Sequence, residues 1–119
     1  MLTSGQLPFV AGALPATGKV GAEVTPERAQ ELARACAVNA VAAVHELVGD
    51  LDRVAQVVKV VGFVASDPAF TGQPGVVNGA SDVLAEIFGE AGRHARSAVG
   101  VAVLPMDAPV EVEITVRVR

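Results

Sequence analysis

The sequence predicts a two-layer α+β domain, two helices packed on one face of a sheet, on three observations. Two segments carry apolar residues at the three- and four-residue spacing of a helix face. Three others are runs of β-branched residues bounded by turn residues, which reads as strands. In the last two of these, large residues alternate with small or charged ones, so each strand offers one face for burial and one of a different kind.

The elements follow in order. Thr3 to Val10 is short and β-compatible, and breaks at Gly12, Pro15 and Gly18. A helix is predicted over 26–48: Thr25 suits its N-cap, Pro26 its first position and Glu27 the positive end of its dipole. Ala29, Leu32, Ala33, Cys36, Ala40, Ala43, Val44 and Leu47 form its buried stripe, and Gly49 supplies a left-handed stop. Arg53 to Ala65 is a strand, apolar on both faces over part of its length and therefore central in its sheet. A second helix covers roughly 74–88 by the spacing of Val76, Val77, Ala80, Val83, Leu84, Ile87 and Phe88, with Gly89 ending it.

Ser97 to Val103 and Val110 to Val118 read as a hairpin closed by the loop Leu104–Pro109. Val99, Val101, Val103 and Val110, Val112, Ile114, Val116, Val118 are expected to pack on the helices. Ala98, Gly100 and Ala102 then line the opposite face beside Glu111, Glu113, Thr115 and Arg117. A flat face of small residues suits close approach by another copy of the chain.

With 119 residues, the chain is read as one domain, 1–119. Apolar residues make up 51% and the mean hydropathy is +0.47, so a face buried between copies is expected. A formal charge of −4, no Trp or Tyr and only four Phe argue against a nucleic-acid partner. No apolar run reaches a membrane span and no signal peptide is evident, so a cytoplasmic protein is expected. The lone Cys36 excludes an internal disulfide and lies on the apolar helix stripe, as a core residue would. His45 and His94 lack partners at metal spacing, so no metal is expected; His45 reads as helix surface and His94 as loop. Gly72, Gly75 and Gly79 make no phosphate loop, since no Lys-Ser/Thr follows.

Thr3-Ser4-Gly5-Gln6-Leu7-Pro8, Val57 to Phe63, Asn78, Ala95-Arg96-Ser97, and Leu104-Pro105 followed by Val110-Glu111-Val112-Glu113 resemble, in order and spacing, the Rid (reactive intermediate deaminase, YjgF) family. The resemblance covers nearly the whole chain. It implies a chorismate-mutase-like fold, a mixed sheet with two helices on one face, assembled as a homotrimer with ligand sites between subunits. It also implies a cofactor-free hydrolysis of 2-imino acids such as 2-aminoacrylate to 2-keto acids and ammonia. Position by position, Arg96 matches the arginine that binds the substrate carboxylate, Glu111 the acidic residue near the water, and Ser4 and Asn78 pocket residues. The chain departs at Ala98, where the family usually has cysteine. It also begins almost on Ser-Gly-Gln, where the family has a further strand bearing a pocket tyrosine.

The chemistry suits these residue types. A guanidinium matches both oxygens of a carboxylate, and a carboxylate within hydrogen-bond reach of a water can take its proton. Burying both large faces of the hairpin places Arg96 and Glu111 together on the other face, but roughly four to eight residues, or about 13–27 Å, apart along it. A shared site would then span two subunits. The alternative is a non-catalytic trimer of the same fold that binds small carboxylates. A ribonuclease finds no support in an acidic chain without a basic stripe.

Overall fold

The computed structural model describes residues 1–119. Helix α1 spans Pro26–Val48, as the periodicity predicts. Thr25 Oγ1 accepts the Arg28 N–H at 3.1 Å, and Gly49, at φ 80°, donates its N–H to the His45 carbonyl. The buried stripe runs from Ala29 to Val44. Leu47, expected in that stripe, is 76% exposed. Val48, one residue on, packs on the core instead, because Val44 and Val48 stand at the four-residue repeat.

Strand β1 is Val54–Ala65, α2 is Gln73–Phe88, β2 is Ala95–Val101 and β3 is Val110–Val118. Both helices pack on the same sheet, and α1 and α2 pack closely on each other. Gly79 makes the helix contact possible: a Cβ there would run into the backbone carbonyl of Gln30 on α1.

The expected hairpin does not form. The sheet order is β2-β1-β3, with β1 parallel to β2 and antiparallel to β3. The connection between β2 and β3 instead straddles the end of β1. Ser66 N–H donates to Val101 O at 3.1 Å, and Ala65 N–H donates to Pro109 O at 2.9 Å. The turn over that end holds two consecutive non-glycine residues in left-handed conformation, Met106 at φ 59° and Asp107 at φ 56°. Gly18 N–H donates to the Asp107 carbonyl and Lys19 Nζ binds Asp107 Oδ1 at 2.6 Å, which fix it there. A short connection favours neighbouring strands but does not require them.

Insertion of β1 also changes the faces of β2. Val60 of β1 is registered with Arg96 and Ile114, Gly62 with Ala98 and Val112, and Val64 with Gly100 and Val110. All of these point to the helices. Ala98 therefore lies beneath α2 and packs on the core, while Gly100, beside Gln73, is exposed. Val99 is 43% exposed, and Val103, beyond the strand end, 69% exposed. Both were expected against the helices. On β3 the expectation holds: Val110, Val112, Ile114 and Val116 are buried, and Glu111, Glu113 and Thr115 are half-buried on the helix-free face. The two strands thus place their large residues on opposite sides of one sheet.

The N-terminal segment extends the sheet beyond β3 through isolated bridges, Leu2 to Thr115 and Gln6 to Val112, rather than as a regular strand. Asn39 of α1 anchors its continuation, donating to the Leu7 and Phe9 carbonyls at 2.9 and 3.1 Å.

The core is built almost wholly from Val, Ala and Leu, each fully buried Val or Leu contributing about 1.5–3 kcal/mol. Cys36 belongs to it, with its Sγ 3.7 Å from the Val110 carbonyl. Burial raises its thiol pKa, and the charge of Glu111 acts in the same direction. The folded chain thus keeps a proton that the unfolded chain releases above about pH 8.5. The thiol costs no stability below that pH, and stability falls as pH rises past it, by up to about 1.4 kcal/mol per pH unit. Urea unfolding at pH 8 and pH 10 should show a smaller alkaline loss for Cys36→Ala. The sequence has no tyrosine to titrate in that window. An equal loss in both proteins would assign the effect to other groups.

Candidate functional site

The four residues singled out by the sequence lie at two separate places, Arg96 bonded to Asn78 at one edge of the sheet and Ser4 and Glu111 at the other. The first joins β2 to α2. Arg96 Nη1 donates to Asn78 Oδ1 at 2.8 Å and to Ser81 Oγ at 3.2 Å, and Nη2 donates to the Pro74 carbonyl at 3.4 Å. Pro74, Asn78 and Ser81 stand at i, i+4 and i+7 along α2, so one stripe of the helix presents three oxygens to the guanidinium. Asn78 is thereby held against Arg96.

The second pair lies at the other edge of the sheet. From Leu2 to Gln6 the N-terminal segment advances four residues while β3 retreats three, from Thr115 to Val112. The extra residue makes a bulge at Ser4-Gly5, opposite Glu113. Thr3 Oγ1 accepts the Ile114 N–H at 3.0 Å beside it. The Glu111 carboxylate lies directly over Gly5, so close that a Cβ there would collide with Oε1. The glycine of the Ser-Gly-Gln block thus has a steric reason: it makes room for Glu111. Ser4 next to it is exposed.

Arg96 and Glu111 do not share a face, contrary to the hairpin expectation. Arg96 is registered with Val60, on the helix side of β1, and Glu111 with Phe63, on the open side. They sit on strands separated by β1 and project from opposite faces of it. The pairs therefore do not meet within one chain. None of the four concavities of a single chain is lined by Arg96, Asn78, Ser4 or Glu111.

Two further polar residues complete the Arg96 cluster, and the sequence reading assigned neither a role. Ser81 Oγ lies 2.9 Å from His94 Nε2, and His94 Nδ1 lies 2.6 Å from the Gly92 carbonyl. Spacing held the signal. Asn78 and Ser81 are three apart on a helix, and His94 and Arg96 are two apart on extended chain, so each pair shares a side. No group of three or more His, Cys, Asp or Glu residues is arranged to hold a metal ion. No helix is long and apolar enough to cross a membrane.

Mixed sheet, two helices on one face and polar clusters at both sheet edges define a chorismate-mutase-like α+β protein. Residues 1–116 match the family described as "YjgF/chorismate_mutase-like, putative endoribonuclease", and the chain belongs to that family. It is 52% identical over 119 residues to protein TCP17 of Trypanosoma cruzi, a match covering 98% of this chain and 73% of that protein. The crystal structure of Agrobacterium tumefaciens Atu1372, of unknown function, superposes with a TM-score of 0.96 at 48% identity, over 99% of this chain and 75% of that one. The Escherichia coli YjgF gene product gives 0.65 at 29% identity, over 99% and 79%.

Gly5 offers a direct check on the second pair. In Gly5→Ala the obstructing atom is the end of a flexible side chain, so the fold should survive with a loss of about 1 kcal/mol or less, while the Glu111 carboxylate swings away. A crystal structure of the variant with Glu111 in its original place would show that the glycine has another purpose.

Proposed function

We propose that the protein is a cofactor-free 2-imino acid deaminase acting at clefts between the subunits of a homotrimer. The observation that carries this reading is the state of Arg96. Asn78, Ser81 and Pro74 engage three of its five N–H groups, leaving Nε–H and one Nη2–H without a protein partner. Two parallel N–H groups on one edge of a guanidinium are what a carboxylate takes bidentately.

In this reading the substrate carboxylate docks on Arg96 of one subunit, and Glu111 of a neighbour faces the imine carbon. Glu111 accepts a proton as water adds to the C=N carbon, giving a carbinolamine. The proton returns to nitrogen, Glu111 takes the carbinol O–H proton as the C=O bond forms and the C–N bond breaks, and a 2-keto acid and ammonia leave. Imines hydrolyse readily, so positioning of the water and the carboxylate supplies most of the rate. The division of the polar residues into two pairs on opposite faces supports a site made by two chains. So does the open sheet face, where Val99 and Val58 are exposed and Val61, Phe63 and Val101 are half-buried.

A second reading, a trimer that binds small carboxylates without turnover, is favoured by Ala98 two residues after Arg96, where the resemblance leads one to expect cysteine. The endoribonuclease in the family's description would need a basic surface, and the formal charge of this chain is −4.

The test couples the purified protein to an enzyme that generates 2-aminoacrylate and follows release of pyruvate and ammonia. Faster release is expected. Arg96→Ala should remove the acceleration and Glu111→Gln should cut turnover by about 100-fold while retaining ligand binding. Pyruvate binding without acceleration would select the non-catalytic reading. Full activity of Glu111→Gln would take that residue out of the mechanism.

A further inference from the structure

The Arg96 cluster has a defined direction. The Gly92 carbonyl can only accept, so His94 Nδ1, 2.6 Å away, carries the ring proton. In the neutral ring Nε2 is then a bare acceptor, and its neighbour at 2.9 Å, the Ser81 hydroxyl, must donate to it. With its hydrogen turned to His94, Ser81 Oγ offers lone pairs to Arg96 Nη1 at 3.2 Å. The second Nη1 hydrogen goes to Asn78 Oδ1 at 2.8 Å. With the ring neutral, every proton from Gly92 to Asn78 thus has one place to go.

Both Nη1 hydrogens are spent on α2. Pro74 O, at 3.4 Å, is the loosest of the three acceptors and takes one hydrogen of Nη2. What remains is the edge of the guanidinium formed by Nε and Nη2. Arginine carries a flexible three-carbon stem, and without the relay its head has several orientations to choose from.

We propose that Ser81 and His94 are positioning residues, which lock the Arg96 guanidinium by its Nη1 end so that it grips a carboxylate side-on through Nε–H and Nη2–H. This rests on the reading of Arg96 as the carboxylate clamp. Neither Ser81 nor His94 touches the ligand. They act by holding Arg96 in one rotamer before the ligand arrives, which removes an ordering cost from binding.

Two measurements on the full chain test it. Long-range 1H–15N NMR of the ligand-free protein reads the His94 tautomer. The Nδ1–H form is expected, with an Nε2 resonance that shifts in Ser81→Ala and recovers in Ser81→Thr, which restores the hydroxyl. The Nε2–H form would overturn the relay whether or not any ligand binds. Calorimetric titration with pyruvate then reads the function. Ser81→Ala should weaken binding about tenfold, the scale of one lost hydrogen bond, and Ser81→Thr should restore it. Arg96→Ala should abolish binding. Wild-type affinity in Ser81→Ala, with Arg96→Ala inactive, would overturn the positioning proposal and leave the clamp standing. Unchanged binding by Arg96→Ala, or none by the unsubstituted protein, would overturn the clamp and the proposal with it.

Discussion

The placement of β1 between two strands of opposite sense governs the rest of the molecule. Because side chains alternate along a strand, each residue of β1 assigns a face to its partner on both sides. Val60 sends Arg96 and Ile114 toward the helices, and Phe63 sends Val99 and Glu111 away from them. Once this register is set, nothing local can bring Arg96 and Glu111 together. Nor can the register slip by one, since that would carry Val110, Val112, Ile114 and Val116 out of the core and Glu111 and Glu113 into it.

The same constraint explains why small residues are concentrated where they are. A helix can lie close to a strand only over residues without bulk. Gly62 on β1 leaves room for Val77, Gly100 on β2 leaves room for Gln73, and Gly79 on α2 leaves room for Gln30. Close approach of α2 to β2 is in turn what lets Asn78 and Ser81, both on short side chains, reach Arg96. Read in sequence alone, Ala98 and Gly100 suggest a bare face awaiting another copy of the chain. In the fold, Ala98 packs beneath the chain's own helix and Gly100 stands exposed beside Gln73, while the unpartnered apolar face is the one bearing Val99.

Much of this was legible beforehand. Helix α1 and strand β3 announce themselves because their signals are local: Thr25, Pro26 and Gly49 punctuate one, and strict alternation marks the other. Asn78 and Arg96, both singled out by the resemblance, lie in hydrogen-bond contact. Strand order was not legible. It depends on where the segment Ala102–Pro109 goes. That route is decided by long-range bonds from Ala65 and Ser66 and by the Lys19–Asp107 tether, none of which has a signature near those residues. The inference that Arg96 and Glu111 cannot meet within one chain survived, on different grounds. Distance along a hairpin was the expected reason, and opposite faces of the sheet are the actual one.

Gly5 and Ser81 illustrate two ways in which a polar site is prepared at a distance from its charged groups. Gly5 acts by having no side chain, so that the Glu111 carboxylate can lie over the bulge at the start of the chain. Ser81 Oγ stands between His94 Nε2 and Arg96 Nη1, where in the proposed relay its hydrogen goes to the ring and its lone pairs face the guanidinium. The acidic group thus rests against backbone at one edge of the sheet, and the basic group is ringed by acceptors at the other. In each case the bonds or contacts leave part of the charged group unsatisfied. A charged group fully paired within its own subunit has little to offer a ligand; one fully free would lose side-chain entropy on binding. The arrangement at Arg96 lies between these limits, held at one end and open along one edge, which is the condition a preformed carboxylate site requires.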